Sequence, residues 1–266
     1  MTYIRANGVI LSVEMGGSGE PVVLLADIGE DLGSWAFQWR TLSISHFTIA
    51  LDVRGSGRSD APSEPYSMET MADDVVSIMD LTGVDGAHVI GHGMGGMIAQ
   101  VVAADHPGRV NSIVTICTPA RMTDEQRCVY STLLRSAEEG MDPVAMSKFM
   151  TPWVFSAHFL EDERWRDNVI SGRARRYSWI SWEGVRGQFE AMSRYDATRH
   201  AGRIACPCLA ICGKHDRLVP PPSVQELMEH VPRVRGVQLD GGHMLPLELL
   251  RSLAKEEMDF LDGVDG

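Results

Sequence analysis

The sequence predicts an α/β protein: a mostly parallel sheet of about eight strands with helices on both faces, interrupted once by a helical insertion. Three observations carry this. Short apolar runs of strand length alternate with longer segments of helical period. Most of the short runs are β-branched or apolar throughout, as strands covered on both faces must be. The alternation then breaks between Ala120 and Ala205, where no strand run is flanked by turn signals.

In chain order, Val9-Ile10-Leu11-Ser12-Val13 reads as an early strand and Val22-Val23-Leu24-Leu25-Ala26 as a buried one. Phe47–Leu51, Ala87–Ile90 and Ser112–Ile116 continue the series, and Cys208–Cys212 and Gly236–Leu239 resume it after the gap. Met68–Leu81 predicts a helix, with Met71, Val75, Ile78 and Met79 on one face and Asp73-Asp74 near its first turn, where the dipole favours carboxylates. Met97–Ala104 predicts a small apolar helix, and a last helix is expected from Leu247 to Leu261, ending at Gly263. The gap carries Trp153, Trp165, Trp179 and Trp182 and reads as a helical cap over 121–203, leaving 1–120 and 204–266 as the core.

Composition excludes several classes. A chain of 266 residues with 44% hydrophobic and 23% charged residues can bury a sizeable core. Net charge is −12, from 24 Lys+Arg against 36 Asp+Glu, so no basic footprint for nucleic acid exists. No apolar run reaches the roughly 20 residues of a membrane span, and the first residues lack a signal-peptide pattern. The expectation is a soluble, cytoplasmic protein. Cys117, Cys128, Cys206, Cys208 and Cys212 are odd in number and lie in or near apolar runs, reading as reduced, buried thiols. No ligand-spaced cluster or P-loop lysine appears, so neither a metal nor an organic cofactor is expected.

The chemistry gathers at loops after strands. Gly91-His92-Gly93-Met94-Gly95-Gly96 has the strand-to-helix glycine frame of a G-x-S-x-G nucleophile elbow, with glycine at 93 where the nucleophile would stand. Asp52-Val53-Arg54-Gly55-Ser56-Gly57-Arg58-Ser59 follows one strand, Gly213-Lys214-His215-Asp216 another, and Asp240-Gly241-Gly242-His243 the last. The order 93, 216, 243 is that of nucleophile, acid and histidine.

On these motifs the chain, from about Val9 to Leu261, resembles the α/β-hydrolase superfamily. It looks most like the single-cap branch with enol-lactone hydrolases, C–C bond hydrolases and polyketide methyl esterases. The resemblance implies the α/β-hydrolase fold, Asp216 as the acid orienting His243, and backbone N–H groups of Met94 and Ile28 as the oxyanion hole. It also departs a second time: the loop that usually begins His-Gly reads Ala26-Asp27-Ile28-Gly29. A carboxylate at Asp27 would repel an oxyanion if ionised and facing in, would do nothing if turned away, and would donate a hydrogen bond if held protonated. His92 and His215 read as structural. Trp153, Trp179 and Trp182 are candidate walls for an apolar substrate, grouped here with Asp27 as substrate-binding.

Three readings of Gly93 stay open at this level. One is a serine-to-glycine, substrate-trapping variant, in which Gly93→Ser would restore ester hydrolysis. Another is a non-covalent enzyme using His243 and Asp216 as a general base for hydrolysis, or for a lyase- or cyclase-type proton transfer. The third is a degenerate module that only binds. The expected partner is a small apolar carbonyl substrate (an ester, a lactone or the ketone of a C–C bond hydrolysis), with no nucleic acid or membrane, and with a homodimer left open.

Overall fold

A computed structural model describes residues 1–265. Its eight strands are β1 Thr2–Ala6, β2 Val9–Gly16, β3 Pro21–Leu25, β4 Phe47–Leu51, β5 Ala87–His92, β6 Val110–Ile116, β7 Cys208–Gly213 and β8 Val234–Leu239. They form one sheet in the order β1-β2-β4-β3-β5-β6-β7-β8. β1, β2 and β4 pair antiparallel, and every pairing from β4 through β8 is parallel. The sheet alternates its faces with period two. In β3, Val23 and Leu25 join the core cluster on one face, and Val22 and Leu24 join that on the other.

Helices α1 Ala36–Leu42, α2 Met68–Leu81 and α3 Met94–Asp105 follow the early strands. α2 is capped by Ser67, whose side chain accepts from Thr70 N. α3 is buried along nearly its whole length beneath the sheet, which explains its unbroken run of small and apolar residues. Between β6 and β7 lie α4 Asp124–Glu138, α5 Pro143–Val154, α6 Ala157–Glu161, α7 Glu163–Tyr177 and α8 Trp182–Arg194. These helices fill the stretch where the strand rhythm stops. A bridge between Arg121 and Asp196 and the bond from Ala197 N to Ala120 O tie the insertion's two ends together.

The C-terminal part holds α9 Pro221–His230, α10 Leu245–Glu248 and α11 Leu250–Asp265. The single last helix expected from Leu247 is therefore two, separated at Leu249, whose ψ of 50° leaves the helical region. β1 was not expected. It is an edge strand whose outer residues are mostly exposed, so it lacks the apolar run by which its neighbours are read.

Candidate active site

Four loops at the carboxyl ends of parallel strands meet at one point: those after β3, β5, β7 and β8, which bring Asp27, Gly93, Asp216 and His243. The elbow after β5 turns at Gly93, with φ 52° and ψ −113°, a backbone strained for any side chain. Its flanking glycines are required by packing. A Cβ on Gly95 would stand 2.8 Å from Ala26 O and closer to Leu25 O, and one on Gly91 would run into the backbone of Gly95.

His243 is fully buried. Its Nδ1 lies 2.7 Å from Asp216 Oδ2, and Asp216 Oδ1 accepts from the N–H groups of Leu218 at 2.9 Å and Val219 at 2.8 Å. Those two amides fix the carboxylate, which fixes the ring. The other ring nitrogen does not face an open cavity near Gly93, as the sequence suggested. It meets a second carboxylate: His243 Nε2 lies 3.1 Å from Asp27 Oδ2.

Asp27 is the centre of the arrangement. Its Oδ1 accepts from Met94 N at 2.7 Å, and its Oδ2 also accepts from Tyr130 Oη at 3.3 Å. The Met94 N–H, expected to serve an oxyanion, is thus already taken by Asp27. A Cβ built on Gly93 would lie 2.8 Å from Asp27 Oδ2 and closer still to Cγ and Oδ1. The Asp27 carboxylate stands where a side chain at 93 would stand.

Burial alone would raise the Asp27 carboxyl. The hydrogen bond and charge of His243, the charge of His92 and the Met94 N–H overcome this and bring it down to about 2. Burial likewise opposes charge on His243. The charge of Asp216 and hydrogen bonds to Asp216, Asp27 and Cys117 outweigh it and hold the imidazole well above its usual range. The ring thus sits between the carboxyl groups of Asp216 and Asp27 in a setting that favours its protonated form. Burial, then the Asp27 charge, pushes the Tyr130 phenol well above its usual value, so Tyr130 stays a donor.

His92, as expected, is structural: burial and the charge of His243 lower its affinity for a proton, and its Nε2 donates to His243 O at 2.9 Å. His92, Cys117 and His243 bring three ligand-type atoms within 4.8 Å of one another. Both His243 nitrogens are committed to carboxylates and His92 Nε2 to a carbonyl, and burial followed by the Asp216 charge raises the Cys117 thiol to about 12. The trio suits hydrogen bonding better than metal ligation.

The insertion closes the site. A cavity of about 20 Å³, room for roughly one water, is lined by Asp27, Ile28, Tyr130, Arg173, Tyr177 and Trp182 among others. Two of the expected aromatic walls lie elsewhere. Trp179 is 52% exposed and flanks a surface hollow beside Arg58, while Trp153 packs on the core and leaves the wall to its helix neighbours Met150 and Val154. Side-chain direction on α5 decided this for Trp153, and a place in the turn after α7 decided it for Trp179; tryptophan count reports neither. Tyr130, Arg173, Tyr177 and Glu30 escaped sequence reading, because arginines in a charge-rich helix look like a solvated face.

An elbow, an acid and a histidine carried in this order on a β4–β8 parallel sheet define an α/β-hydrolase-type enzyme. The family model for the alpha/beta hydrolase fold matches residues 20–248, and the chain belongs to that family. It is similar to 3-oxoadipate enol-lactonase 2 of Acinetobacter baylyi, 27% identical over 235 residues, covering 88% of this chain and 85% of the relative. It is also similar to rhodomycin D methylesterase DnrP of Streptomyces peucetius, 26% identical over 265 residues and covering 88% of each. Among solved structures, the enol-lactonase of Burkholderia xenovorans LB400 superposes with a TM-score of 0.90 at 29% identity, covering 98% of this chain and all of that one.

Proposed function

We propose that this protein hydrolyses a small carbonyl compound without an acyl-enzyme at residue 93, using Asp27 and His243 as a paired base and acid. One observation carries the reading: the Asp27 carboxylate occupies the place of the missing nucleophile and joins the Met94 N–H to His243 Nε2. Asp27 takes a proton from water as the water oxygen bonds to the carbonyl carbon. His243 gives its Nε2 proton to the departing oxygen. Asp27 then returns its proton to His243 across their shared bond, and Asp216 keeps the ring aligned throughout.

The substrate class follows from the base. A carboxyl held at about 2 is a weak base, so the carbonyl must already be electrophilic and its leaving oxygen a stable one. Enol lactones and aryl esters meet both conditions, and amides do not. This agrees with the enol-lactonase name of one relative.

The test uses dihydrocoumarin, an aryl lactone, as probe. Asp27→Asn and His243→Ala should each abolish turnover, and intact-mass measurement during turnover should find no acyl adduct. A single turnover in heavy-oxygen water should label the product acid and leave Asp27 unlabelled. An acyl-protein, or full activity in Asp27→Asn, would sink the reading.

A further inference from the structure

If Asp27 consumes the Met94 N–H, the oxyanion hole expected from Met94 and Ile28 loses one of its two donors, and a replacement must come from elsewhere. Arg173 on α7 is buried to 8% exposure and lines the same small cavity as Asp27. Its Nη2 donates to Tyr177 Oη at 3.3 Å, and its Nη1 is ion-paired with Glu30 at 3.1 Å without hydrogen-bond alignment. Nε and Nη1 have no hydrogen-bond partner. Buried guanidinium N–H groups are seldom left unspent, and here their residue lines a space the size of a water. Glu30 is shared with Arg176, so Arg173 is not its only counter-ion.

We propose that Arg173 is the electrophile of this site: its Nε and Nη1, which make no hydrogen bond within the protein, receive the substrate's carbonyl oxygen as it becomes anionic, replacing the elbow amide given to Asp27. The inference rests on the Asp27-based reading. It orients the substrate, with the carbonyl oxygen toward α7 and the attacked carbon toward Asp27. It also selects ligands that present a planar, negatively charged oxygen pair, for which a guanidinium fork is suited and an ammonium is not.

Acetate and acetamide, alike in shape and different in charge, give a test independent of turnover. At equal ionic strength acetate should protect the protein against thermal unfolding more than acetamide does. Arg173→Gln should erase the difference and Arg173→Lys keep part of it. Equal protection of the unmodified protein, or a difference that survives in Arg173→Gln, overturns the proposal. On dihydrocoumarin, Arg173→Gln should lower kcat by about 10²–10³ with KM little changed, as loss of one oxyanion donor does. Arg173→Lys should lose less, and added guanidinium should rescue Arg173→Ala, which a purely structural role would not allow. An unmodified protein inert toward dihydrocoumarin defeats the hydrolytic reading, and the acetate comparison still decides Arg173.

Discussion

Gly93→Ser alone should destabilise the protein and leave it inactive as a serine esterase, whereas Asp27→Gly/Gly93→Ser should be no less stable than Gly93→Ser and acquire that activity. At φ 52° a Cβ adds about 1–3 kcal/mol of backbone strain. It also lies 2.8 Å or less from three atoms of the Asp27 carboxylate, which must leave. Leaving breaks the bonds to Met94 N and His243 Nε2, and uncoupling a buried ion pair costs about 3–5 kcal/mol. The sum, about 4–8 kcal/mol, approaches the whole stability of an ordinary domain. With Asp27→Gly the second part is already lost, so serine then adds strain alone.

Urea unfolding of the four proteins measures this as a double-mutant cycle. Independent sites add to within about 0.5 kcal/mol, and here the pair should fall short of the sum by about 3 kcal/mol or more. Aryl-ester hydrolysis and labelling by a serine-directed phosphonate should appear in the double variant alone. Additive energies, or a stable and phosphonate-labelled Gly93→Ser, would refute the spatial exchange of the two side chains.

Four other outcomes follow. Glu257 is fully buried with no hydrogen-bond partner on either oxygen, and burial raises it from 4.5 to about 8. The folded state holds the proton more tightly, so stability should fall as pH rises between those values, and Glu257→Leu should raise Tm more at pH 8.5 or so than at about pH 5. Asp27 runs the other way: its contribution is present above its ordinary 3.8 and lost as pH falls through about 2, so Asp27→Asn should flatten that acid limb in denaturant titrations. Glu248 accepts from Gly242 N at 3.0 Å, Ser156 N at 3.1 Å and Ser156 Oγ, joining the His243 turn to the insertion. Its replacement by Ala should cost about 2–4 kcal/mol in urea unfolding and lower kcat. Trp182→Ala should alter KM for dihydrocoumarin, and Trp179→Ala should not.

The sheet was legible because buried parallel strands leave continuous apolar runs, as in Val22–Leu25 and Ile113–Ile116, all fully buried. β1, with Tyr3 57% exposed, has no such run and went unread. The post-strand positions of Asp216 and His243 could be read from order alone. The direction of Asp27 could not, because it depends on the meeting of three loops far apart in sequence. The insertion was legible as helical, yet its contribution to the cavity was not. Arg173 and Tyr130 differ from other polar residues on their helices only in which side of the turn they occupy.

The two departures from the hydrolase pattern are physically one. Gly91 and Gly95 are held by strand–helix packing, so the elbow keeps its shape whatever stands at 93. Presenting a side chain from that turn requires a left-handed backbone, a strain glycine relieves. Asp27 supplies its carboxylate to the same point without a positive φ, since Asn7 and Cys117 are the non-glycine residues with one among those described. The polar group at this point comes from a relaxed loop and not from a strained turn. Because Oδ1 then draws on the Met94 amide, the arrangement also takes away the elbow's oxyanion donor. Hydrolysis at this site then needs a donor in place of the Met94 amide, and the buried guanidinium of Arg173, which lines the same cavity, is the donor proposed above.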